Sequence, residues 1–139
     1  MVNVLVVGSG GREHALTWKL SNSDKVEQVF TAPGNGGTSN NVLISVDDID
    51  DLVKFAQEKN CFTVVGPEAP LANGIVDKFH EKHMPIFGPS KNAAQLESSK
   101  IWAKEFMKRN SIPTADFEIF DDTQKAKDFV KSYDKPVVI

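Results

Sequence analysis

The sequence predicts an α/β fold built on a parallel, doubly wound sheet, and three features carry that reading. Short β-branched and aliphatic runs alternate with segments whose apolar residues recur at helical spacing, a β-α-β-α-β-α-β order that continues to about residue 90. The runs break into turns rich in glycine and proline: Gly8-Ser9-Gly10-Gly11, Ala32-Pro33-Gly34-Asn35, Gly66-Pro67-Glu68-Ala69-Pro70 and Gly88-Pro89-Ser90. The composition, 40% hydrophobic and 25% charged over 139 residues, is that of a globular chain able to bury a core without staples. Right-handed crossovers then place helices on both faces and bring four strand ends to one rim.

The first strand is the run from Val2 to Val7, and the glycine turn after it leads at once into a helix. Glycines let backbone amides approach an anion, and the free N–H groups of a helix start attract it. With Arg12 and His14 on the first helical turn, a phosphate-bearing ligand is expected there; the plain alternative is a turn that needs positive φ. A dinucleotide fingerprint does not fit, because the third glycine position holds Glu13 and no carboxylate follows the second strand. In the helix, Ala15 with Trp18 and Leu16 with Leu20 form the expected apolar face, and Ser21-Asn22-Ser23-Asp24 ends it.

Val26–Thr31 is the second strand, followed by a long polar loop from Ala32 to Asn41, a place for function or simply a mobile surface segment. Asp47 is the expected cap of a helix carrying Ile49, Leu52, Val53 and Ala56. Phe62–Val65 is the third strand. Glu68, bracketed by Pro67 and Pro70, is expected to point a carboxylate from that strand's end, and Ala72, Ile75, Val76 and Phe79 then form a helix. His80 and His83 sit three apart with no third ligand of the usual type nearby, so no metal site is read from them. Pro85–Phe87 is the fourth strand.

Beyond residue 90 the alternation stops. Asn92–Leu96 reads as a short helix, and Ser98 or Ser99 opens a stronger one with Trp102, Ala103, Phe106 and Met107. Lys100, Lys104 and Lys108 form a stripe along it; for Lys104 and Lys108 the expectation is a solvated face. Phe117–Phe120 alternates like a strand, a helix carries Ala126, Phe129 and Val130, and Pro136–Ile139 begins a further strand. That last apolar run, without partner or turn, leads us to expect a longer native chain.

Net charge is −3, which gives no broad footprint for nucleic acid or an anionic membrane and directs attention to small-molecule partners. Cys61, the single cysteine, excludes an intrachain disulfide. No signal segment or long apolar run is present, and a cytoplasmic location is expected.

Taken together, Gly8–Ala15, Ala32–Asn35, Val65–Leu71, Gly88–Lys91, Gln95–Lys100 and Ile112–Ala115 resemble the phosphoribosylamine–glycine ligases, or glycinamide ribonucleotide synthetases, of the ATP-grasp superfamily. The resemblance runs from Val4 to the last residue. It implies a Rossmann-like substrate domain over 1–92 and the incomplete beginning of an ATP-grasp domain over 93–139, with the remainder of that domain as a partner. It also implies a purine-synthesis ligase that uses ATP and Mg²⁺ to join glycine to 5-phosphoribosylamine through glycyl phosphate. Matched residue by residue, Gly8, Gly10, Gly11 and Arg12 would lie on the phosphoribosylamine side, with Asn35 and Glu68 as further rim residues. Lys100 would hold ATP phosphate, and His14 is a candidate to orient a substrate hydroxyl or act near the amine, the plain alternative being a helix-start histidine making a local hydrogen bond. The second ATP lysine, the adenine pocket and the Mg²⁺ carboxylates fall outside this chain, so the piece alone is expected to be inactive. Two alternatives are kept: a nicotinamide-dependent oxidoreductase domain and a non-catalytic module that binds a ribose phosphate.

Overall fold

The computed structural model describes residues 1–139. The chain forms two compact units, Met1–Lys100 and Ile101–Ile139.

In the first unit a four-stranded parallel sheet has the order β2-β1-β3-β4, from β1 (Val2–Gly8), β2 (Val26–Pro33), β3 (Cys61–Val65) and β4 (Ile86–Phe87). Alternation along β1 sorts its side chains between two faces. Leu5 and Val7 join a large core with residues of α2 (Ile49–Glu58), α3 (Glu68–Ala72), α4 (Ile75–Glu81) and α5 (Lys91–Ser98). Val4 and Val6 pack with Val29 and, more loosely, with Leu16 and Leu20 of α1 (Gly11–Ser21). Helices therefore cover both faces, as the alternating pattern requires. Phe79, Leu5, Leu52 and Ile75 are fully buried, each contributing roughly 1.5–3 kcal/mol by leaving water.

The structure departs from the expected elements in specific ways. Trp18 is 64% exposed and Ala15 is exposed, whereas Glu13 and Thr17 are each 3% exposed. The buried face of α1 is thus Glu13, Thr17 and the partly buried Leu16 and Leu20, and Thr17 finds a hydroxyl partner on β2 in Thr31 at 3.0 Å. Asp48, not Asp47, is the N-cap of α2, and its side chain makes no capping bond. The helix expected over 72–79 is two pieces, broken at Asn73 and Gly74, where Gly74 has φ +91°. His83 lies past the end of α4 with φ 55°, so His80 and His83 do not share a helix.

The loop after β2 is tied down rather than loose. Its far end, Asn40–Val42, bonds to β2: the Thr31 amide donates to the Asn40 carbonyl and the Val42 amide to the Thr31 carbonyl. Val42, Ile44 and Val46 then pack against the larger core.

α6 (Lys100–Arg109) begins at the last residue of the first unit and otherwise lies in the second, which also holds α7 (Thr123–Ser132), starting at the Asp122 cap. The strands expected at 117–120 and 136–139 are absent; both stretches are irregular. A ladder needs a neighbouring edge, and residues 101–139 contain no second strand to supply one. Lys104 does not lie on a solvated face: its Nζ donates to Thr114 Oγ1 at 2.6 Å and the Ala115 carbonyl at 3.1 Å, over the Phe117 ring. Lys108 is exposed, as expected.

Candidate functional site

In a sheet ordered β2-β1-β3-β4 the chain leaves β1 toward one edge and β3 toward the other. Their carboxyl ends therefore part to form the crevice where open α/β sheets hold ligands. Gly8 and Gly66 stand at its two lips, each immediately at a strand end. The Gly66 amide donates to the Val7 carbonyl at 3.1 Å, holding the lips together at their base.

The crevice floor is a carboxylate. Glu13, at the third position of α1, turns back so that Oε2 accepts from the Gly10 amide at 2.7 Å. Gly10 has no side chain to return the favour, so only half of a capping box exists. Three glycines make room for this group. A Cβ on Gly8 would overlap Glu13 Cγ, one on Gly66 would overlap Oε1 and stand 2.5 Å from Cδ, and one on Gly10 would stand 2.9 Å from Oε2. Gly8 has the added requirement of φ +135°. Two of the glycines that the sequence reading attaches to an external anion, Gly8 and Gly10, thus lie against an internal one, whereas a Cβ on Gly11 would meet nothing within 4 Å. Glu13 Oε1 lies 3.2 Å from Arg12 Nε but receives no directed hydrogen bond.

Arg12 and Glu68 occupy opposite lips. Arg12 is the second residue of the helix after β1, Glu68 the first of the helix after β3, and the guanidinium stands 4.0 Å from the Glu68 carboxylate. Both are more than half exposed, so the pair is a loose one in which a ligand can compete with either member. The structure therefore brings Gly8, Gly10, Gly11, Arg12 and Glu68 to one crevice.

Asn35 belongs to the same rim in a different capacity. Its Nδ2 donates to the Ser9 carbonyl at 2.9 Å and more weakly to that of Gly10, while its Oδ1 accepts from the Gly37 amide at 2.8 Å. Thr38 and Asn41 close the network around the Asn35 backbone. Asn35 is thus fully engaged in fastening the β2 loop to the glycine turn. His14 is half-buried against that loop, and a Cβ on Gly37 would overlap its Cε1. Lys100 is the exposed first residue of α6.

Glu13 is the residue that motif reasoning passed over as a mismatched glycine. The available signal was a carboxylate three residues beyond a Gly10 cap, the spacing at which a side chain reaches back to a helix start. No group of three or more His, Cys, Asp or Glu stands close enough to hold a metal ion. Cys61 is buried beneath the sheet, where desolvation pushes its thiol up to about 11 against a smaller opposing pull from Lys59; it belongs to the core.

A parallel sheet covered by helices on both faces, with a glycine-lined crevice at the switch point, is an α/β domain of the doubly wound class, in which that edge is where ligands are held. Comparison with known proteins narrows the class. Residues 2–97 match the phosphoribosylglycinamide synthetase N domain, and residues 98–139 match the ATP-grasp (A) domain of the same family. The chain belongs to the phosphoribosylglycinamide synthetase family. It is 50% identical to a phosphoribosylamine–glycine ligase of Allochromatium vinosum, 49% to that of Haemophilus influenzae and 51% to that of Halalkalibacterium halodurans, in each case over 99% of this chain. It spans about a third of the length of these relatives (34%, 34% and 33%). Among solved structures it is similar to N5-carboxyaminoimidazole ribonucleotide synthetase from Thermotoga maritima. The TM-score is 0.69 at 16% identity, covering 98% of this chain and 37% of that one. The biotin carboxylase domain of Hydrogenobacter thermophilus 2-oxoglutarate carboxylase, solved with MgADP, gives the same TM-score at 20% identity, covering 96% and 33%. Those two likenesses speak to the fold. No helix is long and apolar enough to cross a membrane.

Proposed function

We propose that these residues form the N-terminal part of an ATP-dependent ligase that joins glycine to 5-phosphoribosylamine in de novo purine synthesis. The observation that carries the reading is half identity, sustained across both matched domains, to enzymes named for that reaction. The chemistry needs activation. A carboxylate is a poor acyl electrophile because it would have to expel oxide, so ATP is used to make glycyl phosphate, whose phosphate can leave when the amine attacks. Residues 1–92 serve as the substrate domain and 93–139 open the ATP-grasp region.

Within that scheme Gly8, Gly10, Gly11, Arg12, Asn35 and Glu68 serve the phosphoribosylamine side, the first four and Glu68 at the crevice and Asn35 by fastening its wall. Lys100 supplies a point charge to nucleotide phosphate, which suits an exposed ammonium at a helix start. His14, seated against the β2 loop, positions that loop; no proton transfer is routed through it. Mg²⁺ offsets developing phosphate charge when bound, and its ligands belong to sequence outside these residues. The partners are small molecules in a cytoplasmic setting, with no nucleic acid or membrane. An NAD-dependent oxidoreductase is disfavoured because the Glu13 carboxylate lies beside the turn that would have to receive a pyrophosphate.

The test is ADP release coupled to glycinamide ribonucleotide formation in the full-length protein. Lys100→Met is expected to abolish ligation while the protein stays folded by circular dichroism. Near-normal turnover would refute the role given to Lys100, and no ligation by the unaltered protein would refute the function.

A further inference from the structure

The helix start after the glycine turn already carries an anion of its own: Glu13 Oε2 accepts from the Gly10 amide, and the side chain is only 4% exposed. Gly8, Gly10 and Gly66 lie against it on three sides, so close that a methyl group on any of them would crowd the carboxylate side chain. A second carboxylate, Glu68, stands on the far lip, and a single guanidinium lies between the two. The buried Oε1, beside the Gly66 lip, has only the Arg12 Nε at 3.2 Å for a counter-charge, so the carboxylate's charge is not consumed by a hydrogen-bonded partner there.

We propose that Glu13 keeps phosphate off the glycine turn, so that the switch-point crevice favours the amine and hydroxyl end of the substrate over its phosphate. This rests on the ligase reading for the substrate's identity, but the exclusion of phosphate is a property of the chain itself. A phosphate on the amides of Gly11 and Arg12 would stand within several ångströms of the Glu13 charge. At an effective dielectric constant near 20, that repulsion lowers affinity on the order of tenfold or more. The attraction of the helix N-terminus, worth less than about 2 kcal/mol, is already spent on Glu13.

The experiment is nuclear magnetic resonance titration of the 139-residue chain with inorganic phosphate alone, reading the amides of Gly10, Gly11 and Arg12. In the unaltered chain these amides are expected not to move at millimolar phosphate. In Glu13→Gln, which keeps the shape and the acceptor for Gly10 but removes the charge, they are expected to shift, with affinity at least about tenfold tighter. Should that variant fold poorly, Glu13→Ala paired with Gly66→Ala removes the charge and refills part of the space, with the same expectation. Phosphate-dependent shifts of equal strength with and without Glu13, or none in either, would overturn the proposal. Because inorganic phosphate is the only probe, the result does not depend on whether ligation is observed.

Discussion

Gly66→Ala perturbs one atom at the most constrained point of the molecule. Gly66 carries no left-handed φ, so its own backbone tolerates alanine; the cost comes from what the new methyl group meets. It would overlap Glu13 Oε1 and stand 2.5 Å from both Cδ and Cγ. The tip of a flexible side chain usually yields cheaply, but this one is 4% exposed and is boxed by Gly8 and Gly10 as well. Overpacking of such a site costs typically 1–3 kcal/mol. Dislodging Oε2 from the Gly10 amide forfeits a charge-assisted bond of roughly 1.5–3 kcal/mol. Because part of that bond can reform with water at the exposed Gly10, a net loss of about 2–4 kcal/mol is expected for the first unit. In a Glu13→Ala background the three atoms nearest the new methyl group are gone, and Gly66→Ala should cost less than ~1 kcal/mol. Native-state hydrogen exchange at the Leu5 and Val6 amides, central in the sheet, reads opening of this unit alone. Equal costs in the two backgrounds would refute the view that these glycines exist to house Glu13.

Two further outcomes follow from the same structure. Asn35→Asp sets a carboxylate oxygen against the Ser9 and Gly10 carbonyls, where an amide now donates, so the β2 loop should loosen by about 1–3 kcal/mol. Exchange at the Gly37 amide would report it, and the loss should shrink at acid pH as the new side chain protonates; an unchanged loop would count against the fastening role. The Cys61 thiol has its pKa raised from 9.0 to about 11 in the fold. The folded chain therefore keeps its proton where the unfolded chain has lost it. Its contribution is complete below pH 9 and disappears as pH rises through 9 toward 11, an effect of roughly 2–3 kcal/mol. Urea melts of the unaltered chain and Cys61→Ala should diverge across that window, and parallel curves would refute it.

The helices of the first unit show why much of the fold was legible. In α2 the residues Leu52, Val53 and Ala56, and in α4 Ile75, Val76 and Phe79, are buried as their spacing requires. The whole contacting face there is apolar, so local periodicity and burial coincide. α1 breaks that link. Its burial is decided by partners distant in sequence: Thr31 for Thr17, and Gly8 with Gly66 for Glu13. Trp18, the most hydrophobic candidate, is left in solvent. The segment Phe117–Phe120 shows the opposite failure, since strand-like alternation is a necessary condition for a ladder and supplies no partner.

For the site, the positions at the crevice were legible as types and spacings: glycines where strands end, Arg12 at a helix start, a carboxylate after the third strand. Strand order, and with it the location of the switch point, came only from the assembled sheet, because parallel pairing is decided between segments that no local pattern links. The roles also changed with assembly. Asn35 became a fastener, and Glu13 went from an apparent flaw in a motif to the floor of the crevice. A sequence determines which residues are able to reach a strand end; whether three glycines from two strands and a turn enclose a ligand's charge or the protein's own is decided only when those backbones meet.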